Sequence, residues 1–367
     1  MNRRDILAAM AAATVLPRAA LAADGNDIAP AAHALYDKAM VFEANGYPPL
    51  QEKLPFPQSM LDMARQSGVT AMKCSLGGFD GSFEDAMMEI ALFQRIIEEY
   101  PDYYMQVRKA SDFTECKRAG RMGIVFSFEA VTPIDGKIDR IEMFRDLGVR
   151  VMQLSYNKQS PFGTGVMGDP KARLTDLGKK AVEAMNTQGV ALDLSHSNEA
   201  TAMDAIAAST KPVLITHAGC KAIHDHPRNK SDAMLRAVAD KGGVVGIYDL
   251  CYLTPSPKQP TLDDYMAHMT HALKVCGEDH VGIGSDSQLQ PWDTSPAGMA
   301  DFAKDEAARQ KAGIAAPEED RPNYVIGLNT PRRMEVIADA LLKRGYPPRV
   351  AEKVLGANFV GVLGRIW

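Results

Sequence analysis

The chain has 367 residues, of which 46% are hydrophobic and 24% charged, and its formal net charge is −5 at pH 7. This composition is typical of a globular protein, and no internal stretch approaches the roughly 20 consecutive apolar residues of a membrane span. A mildly acidic chain without a basic patch is a poor nucleic-acid binder, because phosphate contacts need a basic surface.

The N-terminus predicts an export signal of the twin-arginine type over residues 1–23. Arg3 and Arg4 precede a short alanine-rich apolar run, and Ala20-Leu21-Ala22 has the small-x-small pattern of a cleavage site. The alternative is an amphipathic first helix. We therefore expect the mature chain, residues 24–367, to reach the periplasm already folded and without a transmembrane span.

Eight short apolar runs predict the strands of a parallel sheet. Each run is rich in β-branched residues or bounded by glycine, and its continuous hydrophobicity fits a strand buried on both faces. The runs are residues 39–45, 70–76, 122–130, 149–157, 189–198, 212–219, 243–250 and 280–286.

Helical patterns fill most of the gaps between these runs. Residues 83–100 carry apolar side chains at i, i+3 and i+4, and residues 174–189 begin at a threonine cap and end at a glycine. Residues 231–243 and 261–277 likewise begin at a serine or threonine cap and end at a glycine. Repeated strand–helix alternation predicts a single α/β domain over 24–367, a (β/α)8 TIM barrel of the metal-dependent hydrolase type. A doubly wound open sheet is the competing fold, but no glycine fingerprint follows the first strand.

The C-terminal third contains a segment without strand character. Residues 287–330 are polar and include four prolines, which predicts a long loop, and loops of that length are often functional lids. Residues 331–363 predict two helices. The five cysteines show no CxxC spacing and are expected to be mostly small core residues, with at least one free thiol or intermolecular bond. They are Cys74, Cys116, Cys220, Cys251 and Cys276.

The polar residues at the strand ends form the candidate site, because active sites of this barrel lie at the C-terminal ends of the strands. In chain order these residues are Asn45, Cys74, Glu129, Tyr156, Asn157, His196, His217, Tyr248, Asp249 and Asp286. Glu129, His196 and His217 suit a catalytic Zn²⁺ with one position open for water. Such a metal lowers the pKa of its water to roughly 7, and Asp286 could accept the proton.

Two features of this candidate site have alternative interpretations. Each histidine alone fits a hydrogen-bonded core residue, and only the combination favours a metal site. Arg228, in the loop after the sixth run, could clamp a substrate carboxylate in a bidentate fork or form a surface salt bridge. The other six histidines fall on predicted helices or loops and are expected at the surface; they are residues 33, 224, 226, 268, 271 and 280.

Four long segments together resemble the renal (membrane) dipeptidase family of zinc peptidases. They are residues 147–157, 174–206, 211–247 and 354–363, and the resemblance extends over roughly 35–367. It implies a metal-dependent hydrolase barrel that ordinarily holds two zinc ions, cleaves dipeptides and is often dimeric. It also implies site roles: Glu129 bridges the metals, His196 and His217 bind the second metal, Arg228 binds the substrate carboxylate and Asp286 shuttles protons.

Two departures from the family pattern change this expectation. The first strand normally ends in His-x-Asp, which holds the first metal, but here Ala44 and Gly46 stand at those positions. Tyr156 takes the place of a histidine that stabilises the tetrahedral intermediate, and a phenol can donate a hydrogen bond without carrying charge. We therefore expect one zinc ion per chain. Glu43 and Cys74 are candidate replacement ligands, although Glu43 is out of register with both lost ligands.

Three functions remain open at this point. The first is a one-metal peptidase that cleaves dipeptides or similar small exported peptides. The second is a repurposed barrel that tailors a periplasmic peptide product, and the third is a non-catalytic binding protein. The retention of Glu129, His196, His217, Arg228 and Asp286 argues against the third, because a pure binder gains nothing from a metal and a proton shuttle.

Overall fold

The computed structural model describes residues 28–51, 54–79, 81–311, 313 and 315–367. The predicted export signal, residues 1–23, lies outside the described residues. Among the described residues, no helix combines the length and the apolar character that crossing a bilayer requires.

Eleven short strands occur in the described residues, and eight of them form the predicted barrel. The strands are β1 (Phe42–Glu43), β2 (Gly46–Tyr47), β3 (Ala71–Ser75), β4 (Tyr104–Gln106), β5 (Met122–Phe128), β6 (Val149–Gln153), β7 (Ala191–Asp193), β8 (Leu214–Ala218), β9 (Val244–Ile247), β10 (Val281–Ile283) and β11 (Ser287–Gln288). The barrel order is β1-β3-β5-β6-β7-β8-β9-β10, with all neighbours parallel. Each barrel strand lies within one predicted run, so the predicted (β/α)8 barrel is confirmed.

The barrel closes between its last and first strands. The N–H of Ala44 donates to the carbonyl oxygen of Ile283 at 3.1 Å, and the N–H of Asp286 donates to that of Asn45 at 2.8 Å. Beyond this point β11 pairs with β2. The seam therefore places Asn45 beside Asp286 at the mouth of the barrel.

The sequence did not predict β4, which lies outside the ring. It pairs in parallel with the first half of β5, where Tyr104 is opposite Met122. Its residues are Tyr104, Met105 and Gln106, which do not form the continuous apolar run from which the other strands were predicted.

Thirteen α-helices in the described residues surround the barrel or close its ends. They are α1 (Pro30–Lys38), α2 (Gln58–Gln66), α3 (Phe83–Glu99), α4 (Ala110–Ala119), α5 (Arg140–Asp146), α6 (Asp176–Gln188), α7 (Glu199–Ala208), α8 (Asp232–Asp240), α9 (Leu262–Cys276), α10 (Pro296–Lys311), α11 (Arg333–Lys343), α12 (Pro348–Glu352) and α13 (Asn358–Ile366). The hydroxyls of Thr175, Ser231 and Thr261 cap α6, α8 and α9 as their sequences predicted. A π-helical turn, Lys353–Ala357, joins α12 to α13, so 331–363 holds two helical stretches.

The prediction of an unbroken loop over 287–330 was wrong, because α10 occupies its centre. Proline is tolerated at the first position of a helix, where its missing N–H would be unpaired anyway, and Pro296 begins α10. The polar composition has a simple cause: within α10, Glu306 is the buried residue, so the helix lies on the surface. The polar composition of this segment therefore reflects an exposed helix rather than a loop.

Apolar side chains pack inside the barrel and between the barrel and its helices. The inner cluster includes Phe42, Ala44, Val125 and Phe359. A larger outer cluster lies between strands and helices. All five cysteines are buried and unpaired, as expected for small core residues.

Candidate metal centre

Two buried histidines face each other at the mouth of the barrel. His196 follows β7 and is 2% exposed, whereas His217 lies in β8 and is fully buried. Their Nε2 atoms are 3.0 Å apart. Glu129, directly after β5, completes a group whose potential ligand atoms all lie within 4.8 Å of one another. The three residues predicted as metal ligands are therefore brought together.

Hydrogen bonds on the far side of each ring assign the tautomers. Nδ1 of His196 lies 2.8 Å from Oδ1 of Asn157, an atom that only accepts, so this nitrogen carries the hydrogen. Nδ1 of His217 lies 3.0 Å from the hydroxyl of Thr216. That hydroxyl donates its hydrogen to Asp193, so it accepts from Nδ1 of His217. Both Nε2 atoms are therefore bare acceptors directed at each other, a repulsive arrangement unless a cation lies between them.

Asp193 holds this half of the site in place from beneath. Its carboxylate accepts hydrogen bonds from the backbone N–H and the hydroxyl of Ser195, at 3.0 and 2.6 Å, and from those of Thr216, at 3.1 and 2.5 Å. Because Thr216 accepts from His217, Asp193 orients a candidate ligand through one intermediate. Such outer partners fix the ring orientation of metal-binding histidines.

Both rings are neutral at pH 7. Burial, followed by the nearby Arg228 guanidinium, holds the pKa of His196 and of His217 well below its usual range. The neutral imidazole is the form that binds a metal. A bare nitrogen pair and a carboxylate are the donors that zinc prefers, and two nitrogens at 2.0–2.1 Å from a tetrahedral zinc lie about 3.3 Å apart, close to the observed separation. The residues present fit one zinc ion.

The strand 1 side of the centre does not fit a second ion. Ala44 packs in the inner cluster, and the neighbouring Asn45 is buried. Nδ2 of Asn45 donates to Oε1 of Glu129 at 2.8 Å and to Oδ1 of Asp286 at 2.5 Å. An amide N–H cannot bind a cation, and here it occupies a bonding position on both carboxylates.

Asp286 stands between the histidines and the seam. Its Oδ2 is 3.9 Å from Nε2 of His217, and its backbone is in the left-handed region with a φ of 59°. Burial, followed by the neighbouring Glu129 carboxylate, raises the pKa of Asp286 to about 8. A carboxyl group beside the centre with such a pKa can both take up and release a proton near neutrality.

Arg228 presents an unused donor to the site. The side chain is 2% exposed and lies in the loop after β8, where Nη1 donates to the carbonyl oxygen of Ser195 at 2.9 Å. Nη2 is buried and finds no partner among the described residues, yet Arg228 lines the cavity. An unpaired guanidinium nitrogen facing a cavity is suited to an anionic group of a ligand.

A cavity of about 410 Å³ opens above these residues, within the range of roughly 300–1,000 Å³ that is usual for small-ligand sites. The aromatic residues of its wall are Tyr47, Phe79, Tyr156, Tyr252, Trp292 and Phe302. Helix α10 supplies Phe302 and also Asp301, Asp305 and Arg309. The segment predicted as a lid therefore lines the site as a helix.

Tyr156 lies against His196. Its ring stacks on His196 with a centroid distance of 4.1 Å and packs against Phe79 at 5.3 Å. Burial is the main cause that raises the pKa of Tyr156 to about 12. The phenol therefore keeps its hydrogen at neutral pH and can donate it to a ligand oxygen.

Several residues predicted at the mouth lie elsewhere. Cys74 points into the outer cluster because side chains alternate along a strand, and Asp249 pairs with Arg333 at 3.1 Å. The hydroxyl of Tyr248 donates to Asn229. Glu43 accepts from the N–H of Ser285 at 2.7 Å, away from the histidines. Cys74 and Glu43 are therefore not replacement ligands.

The expectation of six surface histidines was wrong for two of them. His226 and His268 are buried. Nε2 of His226 lies 2.7 Å from the carbonyl oxygen of Pro317, and its ring stacks on Tyr252 at 4.5 Å. Its contacts come from a distant segment, and a local pattern cannot show them.

Lys73 is a buried charged residue beside the centre that the sequence analysis did not identify. It lies on β3 between Met72 and Cys74, is 1% exposed, and its Nζ donates to Asn45 Oδ1 at 2.6 Å. The available signal was a lone charge inside an otherwise apolar predicted strand, since lysine is almost never fully buried without a partner.

Comparisons with known proteins show the family of this chain. Residues 69–311 match the family model of membrane dipeptidase, peptidase family M19. The chain is 27% identical over 288 residues to dipeptidase tcpJ of Claviceps purpurea, an alignment that covers 78% of this chain and 60% of that protein. It is 30% identical over 227 residues to the uncharacterized dipeptidase C965.12 of Schizosaccharomyces pombe, covering 60% of this chain and 54% of that protein. The chain thus spans little more than half the length of these curated relatives.

A solved structure shares the whole fold. The amidohydrolase from Pseudomonas aeruginosa superposes with a TM-score of 0.80 at 28% sequence identity, covering 92% of this chain and 99% of that one. The family match spans well over half of this chain and includes Glu129, His196, His217, Arg228 and Asp286. The chain therefore belongs to the membrane dipeptidase family, peptidase family M19.

Proposed function

We propose that the protein is a one-metal dipeptidase, which hydrolyses the amide bond of a dipeptide or a similarly small peptide. The observation that carries this proposal is the convergence of two bare imidazole nitrogens and one carboxylate within 4.8 Å. The matching family model, membrane dipeptidase, supports the same reaction class. The expected metal is zinc, at one ion per chain.

The substrate is held by its terminal carboxylate. Nη2 of Arg228 is a buried donor without a partner among the described residues, and a peptide carboxylate supplies the missing acceptor. The contact of Nη1 with Ser195 fixes the guanidinium beside the histidine that follows in the chain. A short peptide anchored there lies with its amide bond over the centre.

The chemistry divides between the metal and two side chains. A zinc ion held by Glu129, His196 and His217 would lower the pKa of a bound water, polarise the scissile carbonyl and by its charge favour the ionised form of Asp286. Asp286 takes a proton from the attacking water as the C–O bond forms, and then delivers it to the leaving amine as the C–N bond breaks. Tyr156 donates its hydroxyl hydrogen to the carbonyl oxygen as negative charge develops there.

The size of the cavity limits the substrate. Its volume of about 410 Å³ suits a small ligand, and α10 with Trp292 and Phe302 covers one side. A long polypeptide would have to displace this wall. The proposed substrates are therefore dipeptides and similar small amides.

A combined metal and activity measurement tests the proposal. Purified protein is loaded with zinc, freed of excess metal and assayed by elemental analysis and by hydrolysis of a dipeptide panel. One zinc per chain with cleavage of at least one dipeptide supports the proposal. Metal-replete protein that cleaves nothing in the panel would instead favour a repurposed or binding role.

The location of the protein is a separate proposal. The twin-arginine pattern at residues 3 and 4 supports export to the periplasm. Cell fractionation tests it: the wild-type chain should be periplasmic, and a chain with Arg3→Lys and Arg4→Lys should remain in the cytoplasm. We also propose a homodimer on family grounds, for which light scattering of the mature protein is the direct measurement.

A further inference from the structure

Lys73 places a full positive charge inside the barrel. Its Nζ has three acceptors: Oδ1 of Asn45 at 2.6 Å, the hydroxyl of Ser127 at 3.2 Å and the hydroxyl of Ser75 at 3.3 Å. Ser127 donates its own hydrogen to the carbonyl oxygen of Cys74, so it is free to accept from the ammonium. Three acceptors match the three N–H bonds of an ammonium group.

These three acceptors are all neutral. A buried charge is strongly destabilising unless an opposite charge compensates it, and hydrogen bonds to neutral oxygens alone do not supply one. The compensating charges lie one side chain away. The Asn45 amide that accepts from Lys73 also donates to both Glu129 and Asp286.

Lys73 determines which way the Asn45 amide faces. An ammonium group can only donate, so it must meet the amide oxygen, and the amide nitrogen is then directed at the two carboxylates. A flipped amide would place its oxygen against Glu129 and Asp286 and its N–H bonds against the ammonium. The lysine therefore positions both carboxylates through Asn45.

We propose that the Lys73 ammonium is a built-in replacement for a second metal cation: it offsets the charge of Glu129 and Asp286 and, through Asn45, holds both at the centre. Strand 1 offers no metal ligand at the centre, since Ala44 and Gly46 have no side-chain donor and Glu43 accepts from the N–H of Ser285 instead. This inference rests on the proposed one-metal function and explains how the opposite half of the centre stays assembled.

Metal counts on four proteins test the proposal. Asn45→Asp converts the amide into a third carboxylate beside Glu129 and Asp286, which creates a donor set for a second divalent ion. With Lys73 present, its positive charge should still offset these carboxylates and disfavour a second cation beside them. The proteins are the wild type, Lys73→Met, Asn45→Asp and the Asn45→Asp/Lys73→Met double variant, each loaded with zinc and analysed for metal per chain.

The expected counts are one zinc for the first three proteins and two for the double variant. A count of two for the wild type or for Asn45→Asp overturns the proposal, because the ammonium then does not exclude a second ion. A folded double variant that still holds one zinc overturns it as well. A wild type without zinc contradicts the proposed function instead, so the two failures are distinct.

Kinetics provide a second test that does not need the double variant to fold. Lys73→Met should lower kcat by about tenfold to a hundredfold at one zinc per chain, with KM little changed because Arg228 is untouched. Lys73→Arg keeps the charge and should recover part of the loss. Lys230→Met is the matched control, since Lys230 is also buried but donates to the carbonyl oxygen of Ser197. Equal kcat losses in Lys73→Met and Lys230→Met would show a merely structural role.

Discussion

Nε2 of His196 lies 3.0 Å from Nε2 of His217, and neither nitrogen carries a hydrogen. Asn157 accepts a hydrogen bond from Nδ1 of His196, and Thr216 accepts one from Nδ1 of His217. Burial keeps both rings neutral. Two lone pairs held this close repel each other, so the folded chain stores an unfavourable contact that a divalent cation relieves. Metal binding should accordingly be strong and should depend on both rings.

Changing either ring should abolish zinc binding. We expect His217→Ala to retain less than about a tenth of the wild-type zinc content, because a site with one imidazole and one carboxylate lacks the usual three protein ligands. His271→Asn is the control, since His271 pairs with Asp232 away from the centre. Elemental analysis after gel filtration measures the content. Full zinc retention in His217→Ala would rule out this centre.

Metal removal should destabilise the fold. A ligand that binds only the native state at a thousandfold excess over its Kd contributes about 4 kcal/mol to the free energy of unfolding. Thermal unfolding with zinc and with a chelator should therefore give different Tm values for the wild type. The His217→Ala variant should give the same Tm in both conditions. An unchanged wild-type Tm would be evidence that no metal binds the native state.

Arg228→Lys should raise KM for dipeptides by about tenfold to a hundredfold, because hydrogen bonds to a charged group contribute roughly 1.5–3 kcal/mol and lysine cannot form the bidentate fork. The matched control is a substrate with an amidated C-terminus. Wild-type enzyme should bind the amidated form poorly, whereas Arg228→Lys should discriminate less. If Arg228→Lys discriminated between the free and the amidated substrate as strongly as the wild type, the substrate carboxylate would bind elsewhere.

Tyr156→Phe should lower kcat by roughly a hundredfold, the usual cost of losing one donor to a developing oxyanion, with little change in KM. The ring stays, so its stacking on His196 is kept. Tyr252→Phe serves as the control in the same cavity, since the Tyr252 hydroxyl already donates to Glu319 at 2.7 Å. Steady-state kinetics on one dipeptide decide the matter, and equal losses in both variants would refute the assigned role of Tyr156.

Glu43 should make stability fall as pH rises. Burial raises the pKa of Glu43 from 4.5 to about 7, against the opposing effect of Arg333 and with a further increase from Asp249. Between these two pKa values the native state holds a proton that the unfolded state has lost, so raising the pH through this window weakens the fold. The resulting loss in the free energy of unfolding is roughly 3 kcal/mol and is complete above about pH 7.

Urea unfolding at pH 5 and pH 8 measures this effect. Glu43→Gln keeps the acceptor oxygen that the N–H of Ser285 uses but does not titrate. The wild type should lose more stability than Glu43→Gln between the two pH values. Identical losses would mean that Glu43 keeps its ordinary pKa.

The barrel and the ligand triad could be predicted because both follow from local pattern. A strand buried on both faces reads as a continuous apolar run, and a residue at its C-terminal end faces the mouth whatever the loops do. Glu129, His196 and His217 all lie at such ends. The sequence alone thus indicated one half of the centre.

The other half depends on contacts that no local pattern records. Whether Lys73 or Cys74 faces inward depends on the register of β3, and a one-residue change exchanges their roles. The Asn45 amide faces Glu129 and Asp286 only because the barrel closes there. Helix α10 was missed since its polar surface and prolines imitate a loop.

The seam has a consequence for the order in which the centre forms. Asn45 and Asp286 are 241 residues apart and meet only across the junction of the first and last strands. Glu129, His196 and His217 instead lie after or within β5, β7 and β8, in the arc of the ring that runs from β5 to β8. A nascent chain that ends at α8 already contains all three metal ligands, whereas its proton carrier has not been synthesised. The three proposed metal ligands are therefore synthesised before the strand that closes the ring, whereas the proposed proton carrier follows that strand.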